Sequence, residues 1–227
     1  MTETQWASPL PRRLLAELLG SLLLAATVVG SGIMAERLAN GNAALALLAN
    51  TLATGAVLVA LILALGSVSG AHMNPAVSLS AAIQNVLPWS ELLQYVAAQL
   101  VGGLAGTLLA HAMFSVPLVT LSMHARSGPA QVLSEFVATF GLLAVIRGCS
   151  SSRAEAVSFA VGSYITAAYW FTASTSFANP AVTIARALSN TFAGIRPVDV
   201  APFILAQIAG ALAATFVFRW IIPRRVN

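Results

Sequence analysis

The chain of 227 residues is 58% hydrophobic and 8% charged, with a mean hydropathy of +0.85 and a formal net charge of +4. A soluble domain keeps about a quarter of its residues charged, so this composition excludes a water-facing surface and makes lipid the outer solvent. The basic excess is all arginine, which fits charges held at membrane faces better than a nucleic-acid groove, and the single Cys149 excludes a disulfide framework or a cysteine-based metal site.

Residues 1–13 read as a cytoplasmic N-terminal segment in which Arg12 and Arg13 precede an apolar run, an arrangement that imitates a secretory signal. The run over 14–34 is as long as a bilayer core requires, and no A-x-A-like cleavage site follows it, so it is read as a retained first span. It carries Glu17. A second span is predicted over 43–65 and carries Thr54. Next comes "SGAHMNPAVSL" with His72, Asn74, Pro75 and Ala76, followed by an apolar helical stretch of only about 10 residues, or about 15 Å, half a bilayer. A third span over 92–113 carries Gln99 and the small residues Gly102, Gly103 and Gly106, which read as close helix packing. The connection 114–131 reads as an extracellular loop. A fourth span over 132–146 carries Glu135, and a fifth lies over 156–171. A second "NPA" phrase, Asn179, Pro180 and Ala181, again opens a helix too short to cross. The last span covers 200–222, and 223–227 form a cytoplasmic tail. Trp6, Trp89 and Trp220 lie near span ends, where interfacial anchoring suffices to explain them.

Lipid cannot satisfy backbone N–H and C=O groups, and the runs lack strand-like alternation, so the spans are helices. Six spans put both termini on one side, with Arg12, Arg13, Arg147, Arg153, Arg219, Arg224 and Arg225; Arg37, Arg126, Arg186 and Arg196 fall on the other. That bias predicts cytoplasmic termini.

The chain also repeats itself. "NPAVSLSAAI" (74–83) returns as "NPAVTIARAL" (179–188), "LLAELLGSLLLAA" (14–26) parallels "VLSEFVATFGLLA" (132–144), and "YVAAQLVGGLAGT" (95–107) parallels "FILAQIAGALAAT" (203–215). Each half, 14–113 and 132–222, holds three spans and one half-helix. An odd number of spans inverts the second half relative to the first, so the fold predicted is an all-α inverted repeat with its site at the midplane. The two half-helices would then meet at their N-termini. Proline is free at a first helical position, and asparagine is a preferred N-cap. With each side-chain oxygen capping its own helix, each amide NH₂ is predicted to point into the space between them. Two facing helix N-termini carry about half a positive charge each and offer free N–H donors. Such a centre repels cations and hydrated protons while it hydrogen-bonds a neutral polar molecule.

With the "SGAHMNPAVSL" phrase, the second "NPA" and the Glu17/Glu135 and Gln99/Gln207 pairs, the chain resembles the aquaporin and aquaglyceroporin family from about residue 14 to 222. The resemblance implies a homotetramer with one pore per subunit, in a bacterial inner membrane, with no cofactor and no metal. It implies Glu17 and Glu135 as structural buttresses beneath the half-helices, and His72 as a lining residue of the cytoplasmic vestibule. The family's filter positions fall on Thr54, Ser176, Val182 and, in the fifth span, Ala167; counting from Gly162 gives Tyr169 instead. Most of the family has arginine where Val182 stands. Its absence resembles a bacterial subgroup linked to arsenic resistance and implies a wide, uncharged filter, open to glycerol-like solutes and to metalloid acids such as arsenite. Arg186, four residues beyond Val182, is on the same helical face; it reads first as a packed or salt-bridged arginine behind the pore, with part replacement of the missing charge as the alternative.

The reading is therefore a passive channel for water and small uncharged solutes. A proton-coupled transporter using Glu17 and Glu135 is the alternative, since intramembrane carboxylates are functional candidates by default. An adhesive membrane protein with a closed pore would show no permeability. No nucleophile–base pair, phosphate loop or metal cluster supports an enzyme, and His111 and His124 carry no motif.

Overall fold

A computed structural model describes residues 8–222; Trp6, Arg224 and Arg225 lie outside them. The described residues form eight α-helices and no strand: α1 Leu10–Leu38, α2 Ala43–Ser69, α3 Pro75–Ile83, α4 Trp89–Met113, α5 Pro129–Ser152, α6 Val157–Phe171, α7 Pro180–Arg186 and α8 Pro197–Ile221. A 3-10 turn, Ala154–Ala156, leads into α6.

Five helices, α1, α2, α4, α5 and α8, are long and apolar enough to cross a membrane. The fifth predicted span, α6, has 15 residues, about 22 Å of helix, shorter than the ~30 Å of a bilayer core. α5 is longer than the predicted 132–146. It starts at Pro129 in its first turn, where a ring-fixed φ favours helix and the missing N–H has no partner to lose. The predicted connection thus ends at Gly128, whose φ of 102° a glycine adopts without strain.

The repeat is visible in the packing. α1 packs on α4 and α2, and in the same way α5 packs on α8 and α6; α2 meets α6 across the centre, and α3 meets α7. Where these helices cross, small residues let backbones approach. A Cβ on Gly102 would collide with the Leu18 carbonyl and one on Gly106 with the Leu22 carbonyl, while a Cβ on Gly162 would lie 2.7 Å from the Gly55 oxygen. Large apolar side chains such as Leu15, Leu52, Leu93, Leu205 and Phe216 remain exposed on the outside, as do Trp89 and Trp220.

The loop between α4 and α5 is not free. Thr120 and Ser122 donate their backbone N–H groups to Leu188 and Ala187, the Met123 N–H is accepted by Asn190 Oδ1, and the Arg196 N–H is accepted by the His124 carbonyl. The loop is thereby tied over the C-terminal end of α7. His111, which the sequence left without a role, pins the same region: its ring contacts the Leu118 carbonyl at 2.7 Å and Ser189 Oγ at 2.8 Å.

Candidate functional site: a junction of two half-helices in a central cavity

Asn74 and Asn179 are the N-caps of α3 and α7. Asn74 Oδ1 accepts the Ala76 N–H (2.9 Å), and Asn179 Oδ1 accepts those of Ala181 and Val182 (3.0 and 3.3 Å). Pro75 and Pro180 occupy the first helical positions, and Ala76 and Ala181 are buried at the contact. Each side-chain amide points across the junction and spends one of its two hydrogens on the opposite half. Asn74 Nδ2 donates to the Ala178 carbonyl (2.7 Å), and Asn179 Nδ2 donates to the Met73 carbonyl (2.8 Å), each the carbonyl just ahead of the opposite cap. A buried carbonyl needs a donor, and for both of these the donor comes from the other half. The two motifs are stapled to each other.

The segments leading into the caps are strained in matching ways. Ala71 and Met73 in the first half, and Thr175, Ser176 and Ala178 in the second, have φ between 47° and 60°, a left-handed conformation costing of order 1–3 kcal/mol per non-glycine residue. The buried acids offset it. Glu17 accepts from the N–H groups of His72 (2.9 Å) and Met73 (2.6 Å), from Ser69 Oγ (2.7 Å) and from Gln99 Nε2 (2.7 Å). Glu135 accepts from the N–H groups of Phe177 (2.8 Å) and Ala178 (2.9 Å) and from Gln207 Nε2 (2.6 Å). Gln99 and Gln207 in turn reach Ser78 and Thr183 in the half-helices. The geometry is that of a buttress. Both acids are fully buried and all four of their oxygens are engaged, so a proton relay would have to break the bonds that hold the caps.

One cavity, enclosing about 360 Å³, is lined from both halves and touches both Asn74 and Asn179. His72, Gln84, Arg147 and Ser150 contribute to it from the ends of α2, α3 and α5; Thr54, Tyr169, Ser176, Val182 and Arg186 contribute beyond the junction. Between them the wall alternates apolar side chains, such as Leu24, Leu58, Leu143 and Ile165, with the strained segments 70–73 and 176–178. The carbonyls of Gly70, Ala71, His72, Ser176 and Phe177 accept no hydrogen bond from any described residue. Their residues lie in the cavity lining, and each such carbonyl keeps its acceptor capacity. His72 lines the cavity, with Nδ1 3.1 Å from Ser78 Oγ and its ring 5.6 Å from that of Tyr95.

Of the expected filter positions Thr54, Ser176, Val182 and Ala167, the first three line the cavity and the fourth does not. Ala167 is exposed on the outer face of α6 and lines nothing, whereas Tyr169 is buried in the cavity wall. Val157, Val161, Ile165 and Tyr169 line the cavity. They repeat every four residues on one helical face, and residue 167 points away from that face. An aromatic is therefore retained: the Tyr169 hydroxyl donates to Thr54 Oγ1 (3.3 Å), and Thr54 Oγ1 donates to the Asn50 carbonyl (2.8 Å). Ser176 Oγ is buried with no partner among the described residues. Val182 is buried against the cavity with no polar atom to offer.

Two further residues escape sequence reasoning. Asn50 is buried and donates to the Val28 carbonyl (2.9 Å) and Ser31 Oγ (2.8 Å), tying α2 to α1. Arg126, in the outer loop, is buried and donates to the carbonyls of Gly194 (2.8 Å), Ser174 (3.0 Å) and Phe192 (3.4 Å) and to Thr175 Oγ1 (3.3 Å). Burial pushes its guanidinium down to about 10. The one sequence signal for Arg126 is negative: no acid stands within four residues of it. Among the described residues no group of His, Cys, Asp and Glu is suited to hold a metal ion.

Comparison with known proteins agrees with this geometry. The profile of the major intrinsic protein family matches residues 4–156. Aquaglyceroporin AqpS of Rhizobium meliloti (strain 1021) is 56% identical over 213 residues, which are 94% of this chain and 91% of that protein. Aquaporin NIP2-3 of Zea mays is 31% identical over 93% of this chain and 70% of its own length. Among solved structures, the X-ray structure of the aquaglyceroporin from Plasmodium falciparum shares the fold with a TM-score of 0.72 at 20% identity, covering 95% of this chain and 98% of that one.

Proposed function

The chain belongs to the major intrinsic protein family, and from that premise we propose that it is a passive multi-pass membrane channel for water and small uncharged solutes such as glycerol. The observation that carries this is the stapled junction of Asn74 and Asn179 inside a cavity lined by both halves. Facing helix N-termini put positive potential at that point, so cations are repelled while a neutral molecule meets N–H donors and backbone acceptors.

Thr54, Tyr169, Ser176 and Val182 form the filter in this reading. Val182 in place of a guanidinium widens the range of solutes, and Tyr169 keeps the range to small ones. Metalloid acids such as arsenite belong among the candidates, because a neutral, multiply hydroxylated acid presents the same donors and acceptors as glycerol. The unit of function is a homotetramer in a bacterial inner membrane with cytoplasmic termini, and its apolar outer helix faces meet lipid and neighbouring subunits.

Stopped-flow permeability of proteoliposomes to water, glycerol, urea and arsenite tests the assignment, with wild type compared against Val182→Arg. A guanidinium at 182 narrows the set of solutes admitted. An unchanged set would remove Val182 from the filter.

A further inference from the structure

Val182 leaves the outer part of the cavity without the donor its position would otherwise supply, yet a cation still reaches the wall. Arg186 stands one turn further along α7, 2% exposed, and lines the same cavity. Its guanidinium lies over the Phe177 ring, 3.3 Å from the centroid, and Nε donates to the Ala193 carbonyl. Its two terminal nitrogens donate to no described residue, and no carboxylate pairs with it among the described residues. Phe177 is itself fixed: it meets Phe203 edge to face at 5.3 Å, and Arg126 lies over it at 4.9 Å with its own guanidinium already spent on backbone carbonyls. Stacking leaves a guanidinium free to donate in its own plane. Ser176 lines the same cavity, with its Oγ buried and without a partner among the described residues.

We propose that Arg186 is a specificity-determining residue of the channel, supplying the fixed positive charge and paired N–H donors of the outer mouth from one helical turn beyond Val182. The inference rests on the channel reading above. A planar fork matches two oxygens held side by side. The Arg186 fork therefore favours solutes bearing neighbouring hydroxyl groups over urea, while its charge adds to the barrier against cations.

The test uses the full chain in proteoliposomes and two readouts, sodium leak and the glycerol-to-urea permeability ratio. In Arg186→Met the sodium leak rises by about tenfold, within the span by which a fixed charge alters local ion concentration, and the ratio falls. The double variant Val182→Arg/Arg186→Met returns the leak to the wild-type level, because the charge is restored one turn away. A wild-type leak and a wild-type ratio in Arg186→Met overturn the proposal. Phe177→Leu covers the case in which that variant does not fold. It removes the stacking seat but no charge, so the ratio falls while sodium stays excluded, and an unchanged ratio overturns the proposal as well. If the wild type passes no neutral solute, the channel reading itself falls; if it does and the variants match it, only the role of Arg186 falls.

Discussion

Replacing Glu135 by Gln separates the buttress from the proton relay. In the wild type one carboxylate oxygen accepts the Phe177 N–H, and the other accepts both the Ala178 N–H and the Gln207 amide. A glutamine has one oxygen, so at best two of the three bonds survive and one buried N–H faces another donor, at a cost of about 1–3 kcal/mol. The two survivors lose their charge assistance, about 1 kcal/mol each. The total, about 3–5 kcal/mol, is comparable to the strain held in Thr175, Ser176 and Ala178. The segment then relaxes, and the Ala178 carbonyl drifts from the Asn74 amide that it accepts. Thermal unfolding of purified protein in detergent is expected to drop by roughly 10 °C, and the water permeability of proteoliposomes is expected to fall with it. Unfolding at the wild-type temperature together with loss of a gradient-dependent flux would refute the buttress and favour a protonatable role.

Other predictions concern packing and the filter. Gly102→Val forces a side chain into the Leu18 carbonyl across α1 and α4; a destabilisation of at least about 3 kcal/mol is expected for overpacking at a rigid backbone contact, seen as loss of folded protein on size exclusion. Tyr169→Phe removes the hydrogen bond to Thr54 but keeps the ring, so the solute size cut-off stays and Thr54 Oγ1 is freed for solutes. Tyr169→Ala removes the ring as well, and stopped-flow traces are expected to show solutes larger than glycerol entering.

The sequence is most legible where the chemistry is local. Asn as N-cap and Pro at the first helical position need only their own helix, so both half-helices start where predicted. Matched acids and amides at Glu17/Gln99 and Glu135/Gln207 are visible in the text because repetition marks them. The fifth span is less legible, because its lining depends on helical phase, and a count from one end settles on Ala167 where the phase of Val161 and Ile165 requires Tyr169. Arg126 is illegible for a different reason: three of its four side-chain partners are the backbone carbonyls of residues 174, 192 and 194, and a carbonyl leaves no trace in side-chain spelling. The same holds for the amides of Asn74 and Asn179, whose acceptors belong to the other repeat.

The central claim is that two half-helix tips, stapled through Asn74 and Asn179, let neutral molecules pass while holding back charge. Osmotic shrinkage of wild-type proteoliposomes, with an internal pH dye and a pH step as the one ion gradient imposed, measures both properties at once. The account predicts shrinkage much faster than in empty liposomes while an imposed pH step decays no faster than in them. Shrinkage at the empty-liposome rate, or a pH step that collapses through the protein, would contradict it.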